Sequence, residues 1–329
     1  MFGKLKTAIN LIKSLYLIPI INNNQVQIEN KIDSILKYIG NKSFHDEIDT
    51  EKSSKIQRNL LKLERVKSED LITLNNGGKA VIVPLDHESV IMPRGEGFVY
   101  HEIEKRFERD SASITAHLDL LRTYLDHSAL DSVPQQEESA SMPYWNNGYF
   151  SRNDARFAFA TVAALRPKNI LEIGSGNSTR FMRLAIETVH SNTKLVSIDP
   201  APRIGIEEVV DANIRKSVLE VALEEFDILE CGDILFHDGS HLTLNGTDTV
   251  RLFLEILPRL KPGVIVHIHD INLPREYPKS FDGRGYSEQY MLGATLLFGD
   301  EWEVLAPLAY ISGNLGLKEG GLSFWMRKR

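Results

Sequence analysis

Asn169-Ile170-Leu171-Glu172-Ile173-Gly174-Ser175-Gly176-Asn177-Ser178-Thr179 is the stretch that decides the fold. Its first five residues are a short apolar run of strand type, and the glycines that follow let the backbone turn tightly with no Cβ in the way. Phe181, Met182, Leu184, Ala185 and Val189 then recur at helical spacing. The alternation continues outward. Lys194–Ile198 reads as a second strand ending in Asp199-Pro200, Ser217–Val221 as a third, and Asp233–His237 as a fourth, ending in Asp238-Gly239-Ser240-His241. A helix through Phe253, Leu254 and Leu257 leads to Leu260-Lys261-Pro262-Gly263 and a fifth strand, Val264–Ile268, ending in His269-Asp270. Strands alternating with helices predict an α/β, doubly wound, mainly parallel sheet. Ligands of such sheets bind beyond the carboxyl ends of the strands. Glu172, Gly174, Asp199, Asp238, His241, His269 and Asp270 all fall at those ends, so they are predicted to meet in one crevice.

The glycine loop reads as a cofactor loop. Strand before, helix after, and an acid ending the next strand place Asp199 where a carboxylate accepts hydrogen bonds from ribose hydroxyls. NAD is the competing cofactor, and an NAD-dependent oxidoreductase the competing enzyme. The third glycine of the dinucleotide fingerprint is missing at Thr179, and Glu172 sets a carboxylate beside the place of a pyrophosphate. A cationic amino-acid cofactor suffers no such repulsion. A non-catalytic assembly protein is the other alternative; the intact Glu172, Gly174, Gly176 and Asp199 set speaks against it.

Leu171 to Thr179 resembles the first motif of class I S-adenosylmethionine-dependent methyltransferases. Gly232 to His241 and Leu257 to Ile271 resemble the methyltransferase domain 24 family, as do Tyr277-Pro278, Glu288-Gln289-Tyr290 and Gly321 to Arg327. The resemblance covers about Tyr144 to Arg329. It implies a Rossmann-like sheet of seven strands whose last strand runs antiparallel, at Leu322–Met326 beside Trp302–Leu305. It implies S-adenosyl-L-methionine as cofactor, with Glu172, Gly174, Ser175 and Gly176 at its methionyl end and Asp199 at its ribose. The sequence departs from the family where Ile-Asp-Ser-Ser-His is often found, having His237-Asp238-Gly239-Ser240-His241, and has Tyr286 where a Trp is common.

Methyl transfer from a sulfonium is an in-line displacement, and a hydroxyl acceptor needs a base or a metal to take its proton. His241, three residues beyond Asp238, is the candidate base. Similar metal-dependent O-methyltransferases imply a divalent ion on Asp238, His269 and Asp270, and mixed nitrogen and oxygen ligands suit Mn, Fe or Zn at least as well as Mg. The same acids could equally accept hydrogen bonds from loop amides. His267 reads as a satisfied core histidine, Asp86-His87-Glu88 as a polar turn, and Tyr144, Trp145 and Asn146 as a cover for the ligands or as packing. The expected acceptor is a hydroxyl on a sugar, glycan or small molecule.

Composition bounds the rest. The chain has 329 residues, 42% apolar and 25% charged, with a net charge of −7 and a pI near 5.8. These values exclude a collagen-like, mostly disordered or multi-span membrane chain. They give no dense cationic face, so no nucleic-acid partner is expected. Cys231, the only cysteine, excludes an intrachain disulfide and fits a cytoplasmic location. Residues 1–70 read as a helical N-terminal region, 71–142 as a small α+β region and linker, and 143–329 as the methyltransferase domain. Ala8 to Ile21, after Lys4 and Lys6, is too short to span a bilayer; it reads as a packed helix or as a peripheral membrane contact through residues 1–21. Ile28, Ile32, Ile35, Leu36 and Ile39 line one helix face and Ile56, Leu60 and Leu63 another, either packed within the protomer or holding a homo-oligomer together. Asn75-Asn76-Gly77-Gly78 reads as a hairpin turn, Ile114, Leu118, Leu121 and Leu125 as an amphipathic helix, and Ser128 to Met142 as the linker.

Overall fold

The structure is a computed structural model that describes residues 71–76, 79–84, 94–95, 97–202, 205–281, 284–314 and 320–329. The chain divides into two compact units, Met1–Met92 and Pro93–Arg329. In the first, β1 (Leu71–Asn76) and β2 (Lys79–Pro84) pair antiparallel from Leu71↔Pro84 to Asn76↔Lys79, as the hairpin chemistry predicts. The helices expected before Leu71, with the membrane contact and subunit assembly assigned to them, lie outside the described residues, as does Asp86-His87-Glu88. Among the described residues no helix is long and apolar enough to cross a membrane.

The second unit is built on seven strands: β3 (Asn169–Ile173), β4 (Lys194–Ile198), β5 (Ala212–Ile214), β6 (Ile234–His237), β7 (Ile265–Ile268), β8 (Trp302–Pro307) and β9 (Phe324–Lys328). Their order across the sheet is β5-β4-β3-β6-β7-β9-β8. The pairs from β5 to β7 are parallel, and β9 runs antiparallel to both its neighbours, as the family resemblance implies. The chain walks outward from β3 to β5 and then returns to β6, so the switch point lies between β3 and β6. Ile170, Leu171 and Ile173 in β3, all of β6 and all of β7 are buried. Such continuous apolar runs are what strands covered on both faces require.

Among the described residues, six helices cover that sheet: α1 (His101–Arg109), α2 (Ser111–Leu125), α3 (Arg152–Leu165), α4 (Asn177–Thr188), α6 (Glu288–Phe298) and α7 (Leu308–Asn314). A further helix, α5, joins β6 to β7 through Asp248–Arg251, a π turn at Leu252–Ile256 and Leu257–Arg259. Ile103, Phe107, Ile114 and Leu121 of α1 and α2 belong to the same core as the sheet. Each buried side chain of that size contributes roughly 1.5–3 kcal/mol. Arg106 is buried with them. It pairs with Asp110 at 3.1 Å and donates to the carbonyls of Leu296, Gly299 and Trp302, so its charge is fully partnered.

Three expectations are corrected. The third strand is β5 at Ala212–Ile214, not Ser217–Val221. Ser217 instead caps a 3-10 turn at Val218–Glu220, its hydroxyl accepting from Leu219 N while Glu220 accepts from Ser217 N. That local box turns the chain before it can extend. The segment from Ser128 to Met142 is not a free linker: Leu130 and Val133 are buried, and Arg180, fully buried on α4, donates to the Ala140 carbonyl and to Glu137. The unit that holds the sheet also begins at Pro93, so α1 and α2 belong with the sheet and not with a separate small region.

Candidate active site

Gly174 has φ +79, and a Cβ there would overlap the Asp238 carbonyl oxygen. Only glycine allows β3 and β6 to end this close together. Gly176 differs: its φ of 176 is ordinary extended backbone, and a Cβ on it would meet nothing within 4 Å. The space beside Gly176 is open. Asp199 faces the same loop, taking Ser175 N at 3.0 Å and Ser175 Oγ at 2.8 Å on one oxygen and Ala201 N at 2.8 Å on the other. It therefore both braces the loop and keeps acceptor capacity toward the crevice. These features fit a ribose and a chain of atoms lying along Gly174–Gly176.

Glu172 does not face the crevice as expected. It is completely buried, and its oxygens take Ser178 Oγ at 2.5 Å and Thr179 Oγ1 at 2.6 Å. Thr179 Oγ1 in turn accepts from Gly176 N at 2.9 Å, so Glu172 props the loop from beneath. Burial pushes its carboxyl up to about 8, more than the two hydroxyls bring it down, so it carries a proton at neutral pH.

Asp238, His241 and Asp270 converge past β6 and β7. His241 Nε2 lies 3.2 Å from Asp238 Oδ1 and 3.4 Å from Asp270 Oδ2, and its Nδ1 lies 2.9 Å from Glu288 Oε2. Burial opposes a charge on His241, but Asp238 and Glu288 outweigh it and hold its pKa well above the usual histidine range. Asp238 is also opposed by burial and is held well below the usual carboxylate range by His269 and His241. Asp270 goes the other way: burial raises it against the pull of both histidines. A donor atom from each of Asp238, His241 and Asp270 lies within 4.8 Å of the others, which fits a single divalent ion with mixed ligands.

The nitrogen of that trio is His241, not His269. His269 Nδ1 stands 3.6 Å from Asp238 and 3.7 Å from Asp270, while its Nε2 turns to Asp154 at 3.6 Å. His241 has a left-handed backbone, φ +58, and its Nε2 stands between Asp238 and Asp270. His267 is the core histidine expected, bonded to Ser323 Oγ at 2.8 Å, stacked on Phe236 at 3.6 Å, and kept neutral by burial and by His269. Trp145 packs on Phe181 with Arg152 over its ring. Sequence reasoning missed two acids. Asp154, buried at the start of α3, accepts from Leu322 N, Ser323 N and Ser151 Oγ. Glu288, buried at the start of α6, was legible only as part of a family motif. A cleft of about 300 Å³ opens beside His269 and Asp270, with Tyr149, Asp154 and Asn272 on its walls.

The family model described as a methyltransferase domain matches residues 171–271. An uncharacterized protein of Archaeoglobus fulgidus is 32% identical over 120 residues, or 35% of this chain and 54% of that protein, so the match spans about half of the relative's length. Similar solved structures include a methyltransferase of Podospora anserina bound to SAH, 15% identical, covering 74% of this chain and 100% of that one with a TM-score of 0.36. An O-methyltransferase of Bacillus cereus in complex with SAH is 15% identical, covers 69% and 100%, and has a TM-score of 0.34. The O-methyltransferase of tomaymycin synthesis from Streptomyces achromogenes, in complex with SAM, is 14% identical, covers 64% and 88%, and has a TM-score of 0.35.

Proposed function

We propose that this chain, which carries a methyltransferase domain over residues 171–271, moves the methyl group of S-adenosylmethionine to a hydroxyl oxygen of a sugar, glycan or small-molecule acceptor. The observation that supports this most is the contact between the two ends of the site. Gly174 lies against the Asp238 carbonyl, so a cofactor seated along Gly174–Gly176 ends beside Asp238, His241 and Asp270. The attacking oxygen forms its bond to the methyl carbon as the carbon–sulfur bond breaks. The electron pair goes to sulfur, leaving S-adenosylhomocysteine, and the hydroxyl proton goes to a base.

His241 is the base the sequence suggests, but Asp238, Asp270 and Glu288 surround its ring and its pKa is held well above the usual histidine range, which favours the protonated ring over a proton acceptor. Asp270, raised by burial and lining the cleft, is the better proton acceptor. His241, whose Nε2 lies 3.4 Å from its Oδ2, holds it in place. A divalent ion bound by Asp238, His241 and Asp270 would supply Lewis-acid polarisation of the acceptor hydroxyl. With Nε2 facing the gap, His241 would then give up that proton to ligate.

Calorimetry with S-adenosylmethionine, followed by incubation of the labelled cofactor with lysate fractions and mass spectrometry of the products, tests this. Binding that weakens in Asp199→Ala by the ~1.5–3 kcal/mol of a hydrogen bond to a charged acceptor, with label in an alkali-stable ether, is expected. A folded protein that does not bind the cofactor overturns the reading; label only in amines or esters overturns the hydroxyl acceptor.

A further inference from the structure

Glu288 is fully buried, and a buried carboxylate is costly unless it is paired. Its partners are two histidines, one at the end of β6 and one in the loop that follows it. Oε2 takes the Nδ1 proton of His241 at 2.9 Å, and Oε1 lies 3.1 Å from Nε2 of His237, also fully buried. The same turn grips His241 a second time, because Ser287 N and Glu288 N donate to the His241 carbonyl at 2.8 and 3.2 Å. His241 sits at φ +58, which a residue with a Cβ adopts only when its surroundings hold it there. The two departures of this loop from the family pattern belong to the same arrangement. A Cβ at Gly239 would overlap Asp248 Oδ2 and lie 2.7 Å from His237 Cε1, so the Asp248 carboxylate and the ring at 237 together leave room only for glycine at 239. His237 Nε2 stands beside the second oxygen of Glu288.

We infer that Glu288 is a positioning residue for His241. By taking the Nδ1 proton and clasping the carbonyl, it leaves Nε2 as the edge of the ring that meets Asp238 and Asp270. A ring released from Glu288 is free to swivel, and its nitrogen leaves the gap. This rests on the proposed function only for what the Nε2 edge then does; the clasp stands on geometry alone. A histidine that ligates metal needs such a partner on its other nitrogen, and losing one typically weakens the metal about 10–100-fold.

The test is NMR of protein labelled with ¹⁵N in its imidazole rings, with His241→Gln identifying the His241 signals. In the wild type Nδ1 of His241 carries a proton. In Glu288→Gln, whose amide can turn either its oxygen or its NH2 to the ring, the His241 pattern shifts or doubles, while S-adenosylmethionine still binds. A wild-type Nδ1 without its proton, or an unchanged His241 pattern in Glu288→Gln, overturns the inference. If Glu288→Gln does not fold, Glu288→Asp is judged by the same spectrum, since its shorter arm also loosens the clasp. Manganese titration separates this from the reading beneath it. Wild type that binds Mn²⁺ and Glu288→Gln that binds it about 10–100-fold more weakly supports both. Equal binding by the two overturns the positioning role. A wild type that takes no Mn²⁺ removes the cation from the proposed function, and the spectrum alone then decides the role of Glu288.

Discussion

At the glycine loop the crevice is made by short-range contacts, Glu172 reaching Ser178 and Thr179 six and seven residues on and Ser175 meeting Asp199 twenty-four on. At the other end Asp238, His241 and Asp270 depend on partners far along the chain. Glu288 lies forty-seven residues beyond His241, and Asp154 holds amides 168 and 169 residues later. The first half keeps the acid beneath its loop, Glu172, protonated. The second is crowded with charge, carboxylates and imidazolium rings neutralising one another. The contrast suits the cargo. A cofactor with its own positive charge needs a shaped edge, whereas a proton, or a metal in its place, needs a field.

Two neighbouring glycines can break that contrast most forcefully. Gly174→Ala combines left-handed strain with overlap on Asp238, each worth ~1–3 kcal/mol, so roughly 2–6 kcal/mol of stability should go. Gly176→Ala should keep its stability and lose affinity for S-adenosylmethionine, because its methyl enters open space. Denaturant unfolding and calorimetry on both variants read the two effects separately. If Gly176→Ala unfolds and Gly174→Ala does not, the loop is built differently.

Glu172 sharpens the comparison through pH. Its folded pKa of about 8 lies above the ordinary value of 4.5, so the folded protein binds the proton more tightly than the unfolded chain. That stabilisation is complete below 4.5 and is lost as pH rises toward 8, at ~1.4 kcal/mol for each unit of separation. Glu172→Gln mimics the protonated acid, so its stability should vary less across this window than that of the wild type. Parallel curves for the two proteins would mean that Glu172 is ionised in the fold. At the charged end, Mn²⁺ binding should release about one proton, since His241 must lose Nε2–H to ligate. Calorimetry in two buffers of different ionisation enthalpy counts it, and zero release would remove His241 from the ligand set.

What the sequence made legible follows the same division. Strand, Gly174-Ser175-Gly176 and helix are contiguous, so periodicity and two glycines suffice to place the cofactor end. Asp238, His241 and Asp270 were legible by position, since each follows an apolar strand, but not by role. Their protonation is set by Glu288 and by each other, and no spacing encodes which ring nitrogen faces which acid. His269 rather than His241 was therefore read as the ligand. The short strand β5 was missed because Val218 and Val221 are apolar for the sake of a buried 3-10 turn. Residues 128–142 looked like a linker because their anchor, the buried guanidinium of Arg180, comes from another element.

Asp154→Asn gives the smallest expected effect and the finest test of the contrast. One oxygen accepts from Leu322 N at 2.9 Å and Ser323 N at 2.7 Å; the other accepts from Ser151 Oγ at 2.6 Å and faces His269 Nε2 at 3.6 Å. Burial raises its pKa, but His269 and these donors outweigh it and keep the group ionised. Asp154→Asn retains the oxygen that holds the two amides and offers its NH2 to the Ser151 hydroxyl, which can accept. What it removes is one of the carboxylates around His269, and Asp238 and Asp270 remain. The loss should therefore be about 1 kcal/mol, near that of one ordinary hydrogen bond. Asp154→Ala leaves buried amides unpaired and should lose about 1–3 kcal/mol for each. Denaturant midpoints for the pair decide the matter. If Asn loses as much as Ala, the charge on Asp154 matters more than its hydrogen bonds, and the charged half of the crevice extends as far as α3.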